Sequence, residues 1–157
     1  MDVTVVWAAI IALGLLLYVV LDGFDLGIGI VFPLFPDERE RDLMMNSVAP
    51  VWDGNETWLV LGGAALFGAF PLVYATVLSA LYLPLVAMLT CLILRGVSFE
   101  LRGKATRTKH LWDLAFIGGS SGAAFFQGIS LGAFVQGLPL ANGEYAGDTF
   151  GWLPPFP

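Results

Sequence analysis

The chain has 157 residues, 57% of them hydrophobic and 13% charged, with a mean hydropathy of +0.80 and a net charge of −6. A soluble domain is nearer half apolar and a quarter charged, so the composition excludes an ordinary water-soluble enzyme and points to one integral membrane domain, with room for about four spanning helices of about 20 residues each. The basic residues are few and confined to two segments, which leaves no nucleic-acid footprint.

The N-terminus, Met1-Asp2-Val3, carries no positive stretch and no small-residue cleavage site, so the first apolar run is expected to be a retained helix. It is predicted over 3–34 and passes through Asp22-Gly-Phe-Asp-Leu-Gly-Ile-Gly29. At about 1.5 Å per residue it exceeds a hydrocarbon core of about 30 Å, so it must tilt, protrude or break near its glycines. Asp22, Asp25 and Gly29 share one face by their i, i+3, i+7 spacing. Charged groups at the middle of a bilayer cost several kcal/mol and persist mostly where they line a bundle interior or a polar path.

Pro36 to Asp42 is predicted as a short, solvated, charged loop. The second helix is predicted over 48–70, ending in a tight turn from Gly68 to Pro71. Its uncharged part, Thr57 to Phe70, makes only about 21 Å of helix, short of the hydrocarbon thickness. A crossing helix must therefore draw in Trp52-Asp-Gly-Asn-Glu-Thr-Trp58 and carry Asp53, Asn55 and Glu56 into or just under the membrane. In the alternative, residues 46–56 are interfacial and the run is re-entrant.

The third helix is predicted over 72–94, kinked at Pro84, and is followed by a basic loop holding Arg95, Glu100, Arg102, Lys104, Arg107, Lys109 and His110. The fourth is predicted over 114–138. Its Gly118-xxx-Gly122 and Gly128-xxx-Gly132 spacings suit close helix approach, and Ser120, Ser121, Gln127 and Gln136 suit bonds across helices. A Gly/Pro-rich tail covers 139–157. All Lys and Arg fall in segments on the same side of a four-helix topology, which the positive-inside rule assigns to the cytoplasm. The N-terminus and the tail then face outward. Trp7 and Trp152 suit the outer interface and Trp112 the inner one.

Desolvation favours the neutral form of a carboxylate and brings it toward proton exchange near neutral pH. Asp53 with Glu56, and Asp22 with Asp25, are pairs one turn apart that suit the mouth of a proton path. The same residue types also serve structure, by capping helices, accepting indole N–H bonds, or pairing with Arg95 or Arg102. Glu100 and Asp113 flank the basic segment and suit salt bridges. Trp52 and Trp58 suit packing and anchoring. Cys91 and His110 are each the only one of their kind, so the chain by itself holds no disulfide, Cys-x-x-Cys motif or evident haem or metal site. Met88 and Cys91, three apart, suit packing better than ligation.

The segment Asp22 to Gly29, then Asn46 to Trp58, Gly62 to Pro71, Arg95-Gly-Val-Ser-Phe-Glu100 and Trp112-Asp113, in that order, resembles subunit II of cytochrome bd-type quinol oxidases over about residues 1–140. The resemblance implies an all-α polytopic membrane protein, half of a pseudo-repeated eight-helix subunit about twice this length, with the second half missing after the tail. It implies a haem-free accessory role beside a haem-bearing subunit I, in the bacterial inner membrane. Haems are then expected in that partner, none in this chain, and a structural quinone is possible against it. The aspartate of the Trp-Asp-Gly-Asn segment, matched by Asp53, belongs to a proposed proton route in that family, and its Asp-Gly-Phe-Asp aspartates are matched by Asp22 and Asp25. Asp53 is expected to be the main proton-path group here, with Asp22, Asp25 and Glu56 as helpers. Trp52, Gly54, Asn55 and Trp58 complete that motif. On the residues alone, half of a proton-coupled transporter or a purely structural subunit remain as alternatives.

Overall fold

The computed structural model describes residues 2–141 and 144–148; Trp152 and most of the predicted tail lie outside the described residues. Among them the chain is a helical bundle. Helix α1 spans Val3–Val31, ends in a 3-10 turn over Phe32–Leu34, and is followed by α2 (Glu38–Val48), α3 (Trp52–Ala69), α4 (Pro71–Ala80), α5 (Tyr82–Arg102) and α6 (Lys109–Gln136). Two short antiparallel strands, β1 (Leu140–Ala141) and β2 (Glu144–Tyr145), close the described part. The most extensive interface is between α5 and α6; α1 packs on α3 and on α6.

The bundle is dressed for lipid. Val3, Leu13, Leu16, Phe24, Val60, Leu72, Ile93 and Phe125 point outward, while Asp22, Asp25, Arg95, Ser98 and Ser120 are buried. Helix α1 buries Ile11, Gly14, Tyr18, Asp22, Asp25, Leu26 and Gly29, one stripe at three- and four-residue spacing. Its core partners form two groups, Leu26 with Met88, Leu92 and Ala123, and Phe32 with Met45 and Phe116. Met88 is thus a core side chain, and Cys91 packs at the edge of the same group.

Among the described residues, three helical segments are long and apolar enough to cross a membrane: Val3–Leu34, Tyr82–Arg102 and Lys109–Gln136. Helix α3, with Asp53 and Glu56 in its first turns, is not among them, and α4 is shorter. Several boundaries differ from the sequence reading. The predicted charged loop is helical from Glu38, because Asp37 caps it by accepting from the Arg39 N–H at 2.9 Å and Glu38 and Glu40 favour the positive end of the helix dipole. The second run does not continue back to Val48; α2 and α3 are separated by Ala49–Val51. The third run breaks at Leu81, three residues before Pro84, whose ring cannot bond the Ala80 carbonyl and crowds it. The largest correction is to the basic loop. Helix α5 continues to Arg102, so Arg95 and Arg102 are buried helix residues rather than loop residues. The helix need not stop at these charges because each finds carboxylates inside the bundle.

Close approach of helices is set by a few glycines. A Cβ at Gly119 would stand 2.7 Å from the Cys91 carbonyl oxygen and 2.8 Å from the Arg95 nitrogen, and one at Gly122 would stand 2.6 Å from the Cys91 Sγ. Among the described residues nothing beyond the local helix lies within 4 Å of such a Cβ at Gly118, Gly128 or Gly132. At 3.6 residues per turn, Gly118 is turned about 100° away from Gly119, so the α5 contact runs through Gly119 and Gly122. Gly29 makes the matching approach of α1 to α6, against Ser120.

Candidate functional site

Three helices bring charge into the bundle at one level. The Arg95 guanidinium, on α5 and fully buried, donates from Nη2 to Asp22 Oδ1 on α1 at 2.6 Å and also to Glu56 Oε1 on α3. Asp25, one turn from Asp22, accepts from the Asn55 amide at 2.9 Å. Asp22 and Asp25 are 0% and 1% exposed, whereas the Glu56 side chain is 22% exposed and opens the cluster to one side. Isolated ions of this kind are expelled from an apolar interior; paired and hydrogen-bonded they persist. Asp22 Oδ2, Arg95 Nε and Nη1, Tyr18 Oη and Ser120 Oγ are buried without a hydrogen-bond partner among the described residues, so the cluster is polar beyond its ion pairs.

Asp53 sits one turn before Glu56 on the exposed side of α3, and its backbone carbonyl accepts from the Thr57 hydroxyl at 2.9 Å. It is therefore at the surface of this chain, with Glu56 between it and the buried pair. Gly54 is exposed with open space around it. Trp52 stacks on Phe99 at 5.2 Å and lies 3.1 Å from a Cβ position at Gly96, so that glycine gives the indole its seat next to Arg95. The Trp58 carbonyl packs near Gly14, part of the α1–α3 contact.

A second charged network occupies the basic end. Arg102, 4% exposed, donates to Asp113 and, at 2.5 Å, to Asp42. Arg41 donates to Asp113 at 3.0 Å and to the Phe35 carbonyl at 2.7 Å. Lys109 pairs with Glu38 and, at 3.1 Å, with Asp42. The fully buried Phe32 ring lies under both guanidiniums, 5.3 Å from Arg41 and 5.5 Å from Arg102. Edge contacts from Phe32 to Phe116 and from Phe116 to Phe99, then the stack on Trp52, make an aromatic partition between the two networks. Glu100 is exposed and faces Lys104 at 3.4 Å, one turn on. The sequence allows Arg95 and Arg102 as partners of buried acids but places both in a loop, not buried on α5. Their spacing of seven, which puts both on one helical face, was the available signal.

Asp42 lies outside the spanning helices. The hydrogen bond from Arg102, helped by Lys109, holds its carboxyl below the usual carboxylate range. A depressed folded-state value stabilises above the ordinary value of about 3.9, and that contribution is lost as pH falls below it. Thermal unfolding of the detergent-solubilised protein should therefore show Asp42→Asn less stable than the parent near neutrality. The gap should close as pH drops below about 4. A gap independent of pH would mean that the carboxylate contributes by shape alone.

Among the described residues no group of three or more His, Cys, Asp and Glu side chains is placed to hold a metal ion. Against known proteins, the model of the family described as cytochrome bd terminal oxidase subunit II matches residues 3–157. The chain is 37% identical over 159 residues to cytochrome bd-I ubiquinol oxidase subunit 2 of Escherichia coli (strain K12), which covers 96% of this chain and 42% of that protein. It is 39% identical over 137 residues to cytochrome bd ubiquinol oxidase subunit 2 of Bacillus subtilis (strain 168), covering 85% of this chain and 40% of that one. A probable cytochrome oxidase subunit 2 of Haemophilus influenzae is 36% identical over 96% of this chain and 42% of its own length. The chain thus spans about two-fifths of the length of these relatives. With a buried Asp22–Arg95–Glu56 cluster inside an apolar helical bundle and these matches across nearly its whole length, the chain belongs to the cytochrome bd terminal oxidase subunit II family.

Proposed function

We propose that this chain serves as the N-terminal half of a haem-free accessory subunit in a bd-type terminal quinol oxidase. There it stabilises the haem-bearing subunit I and contributes carboxylates to a proton path from the cytoplasm during reduction of oxygen to water. In this reading α3 is the fourth crossing element, the basic ends face the cytoplasm, and the N-terminus faces outward. Haems belong to the partner subunit, and a structural quinone is the one cofactor this reading allows against the chain.

The observation that carries the proposal is the graded burial of acids along one line of approach. Asp53 is exposed, Glu56 is partly exposed and bonded to Arg95, and Asp22 is buried on the same guanidinium. A proton taken up at Asp53 meets Glu56 one turn further on, and then the buried pair. Arg95 keeps both acids in place without itself exchanging a proton, because guanidinium stays protonated in proteins. The aromatic partition made by Trp52, Phe99 and Phe116 separates this line from the second charged network, leaving Asp53 and Glu56 as its entrance.

Asp53→Asn tests this in the assembled oxidase. The variant is expected to assemble with full haem content and to lose quinol-driven oxygen uptake by about a hundredfold, the scale of one positioned proton-transfer group. Full turnover with full haem content would reduce Asp53 to a structural residue. Loss of haem would assign the α3 N-terminus to assembly.

A further inference from the structure

The basic end of the bundle holds a cavity of about 350 Å³ between the start of α2, the α5–α6 connection and the first turn of α6. Arg41, Arg107, Lys109 and His110 line it, with Glu38 and Asp113 as the acids. Both acids are already engaged, Asp113 by Arg41 and Arg102 and Glu38 by Lys109. Among the described residues, Arg107 and His110 have no ion-pair or hydrogen-bond partner. The wall of the cavity is therefore left with the Arg107 cation and the His110 ring N–H as donors that no acid among the described residues engages. The first turn of α6 has no acidic residue and its N-cap residue Thr108 makes no side-chain cap bond, so the helix dipole adds to the same field.

The cavity also borders apolar surface. Leu114 stands one turn beyond His110 on the same helical face and is 62% exposed, and Leu111, one turn before Leu114 on α6, is 52% exposed. Leu34, two residues before the Pro36 wall of the cavity, is 76% exposed. A ligand suited to both parts is amphiphilic, with an anionic head and hydrocarbon tails. A free anion would use the cations and leave the leucines unexplained.

We infer that this cavity is a binding site for the phosphodiester headgroup of an anionic phospholipid, held by Arg107, His110 and the outer N–H groups of Arg41, with its acyl chains against Leu34, Leu111 and Leu114. Basic pockets at the ends of membrane helices recognise such headgroups, at about 1 kcal/mol for each Lys or Arg near the surface. This site goes beyond the proton path and does not depend on it, since Asp53, Glu56 and Arg95 take no part.

Native mass spectrometry of the protein as solubilised from membranes, titrated with phosphatidylglycerol and with phosphatidylcholine, tests it. Phosphatidylglycerol should bind preferentially, and Arg107→Gln should weaken it about fivefold. Arg39→Gln, an exposed arginine on the same end but outside the cavity, should leave binding unchanged. Equal losses for the two variants would show a diffuse field rather than a site, and equal binding of the neutral lipid would overturn the inference. Displacement of the lipid by millimolar inorganic phosphate would mean that the anion alone is the ligand, and would overturn it equally.

Discussion

Arg95→Ala should be the most damaging single substitution in this chain, costing about 3–5 kcal/mol of stability, with a matching loss of protein recovered from the membrane. The guanidinium is 0% exposed and is the ion-pair partner of both Asp22 and Glu56. Removing it leaves a fully buried carboxylate without a counter-ion, in a bundle whose outer face meets lipid rather than water. The cost belongs to the orphaned acids more than to the lost pair, and a combined variant separates the two. Arg95→Met with Asp22→Asn and Glu56→Gln removes every charge and should recover most of the stability, because exchanging a whole buried ion cluster for neutral groups is often close to neutral. Denaturant or thermal unfolding of the solubilised protein reads both. A single variant as stable as the parent would mean that the cluster is solvated. A triple variant no better than the single one would locate the damage in packing against Trp52 and Gly119. Arg95→Lys should fall between, since an ammonium keeps the charge but sits on a shorter stem than the Nη2 that alone bridges both carboxylates.

Gly119→Ala should cost about 1–3 kcal/mol although it adds one methyl group. The added Cβ meets the Cys91 carbonyl at 2.7 Å and the Arg95 backbone nitrogen at 2.8 Å, atoms of α5 that cannot rotate aside. The helices must separate, and the shift falls on the segment that positions Arg95. Gly118→Ala is the matched control. Among the described residues nothing beyond the local helix lies within 4 Å of its Cβ position, and alanine is favoured over glycine in a helix by about 1 kcal/mol, so it should be neutral or stabilising. Comparison of unfolding midpoints for the two neighbours reads the difference. Equal effects would show that α5 and α6 are not in contact through Gly119. A large effect at Gly118 in the assembled oxidase alone would instead mark a surface used by a partner.

Both substitutions act where segments distant in sequence meet, which local sequence patterns do not specify. Apolar runs are legible because lipid leaves a helix no alternative for its backbone groups, and the first and last of them are helical here, as Val3–Val31 and Lys109–Gln136. The stripe holding Asp22, Asp25 and Gly29 was legible for a similar reason, since helical periodicity follows from chain geometry. The end of α5 was not. A charged residue after a long apolar run normally marks the water interface, and Arg95 and Arg102 were placed there. They stay in the helix because Asp22, Glu56, Asp42 and Asp113, distant in sequence, come within bonding distance of them. Likewise Gly118 and Gly122 carry the same small-residue pattern, and only the rotation of α6 against α5 selects Gly119 and Gly122 as the contact.

The linear chain determined that this protein lives in a membrane, that its long spans are helices, and that acids sit where lipid would reject them unpaired. These follow from local terms, namely transfer free energy and the 3.6-residue repeat. Tertiary structure decided which cation answers which acid, that Asp53 stands at the surface while Asp22 and Asp25 are enclosed, and that two charged networks are kept apart by aromatic rings. Those are pairwise terms between distant segments, and they acquire values only when packing sets the distances.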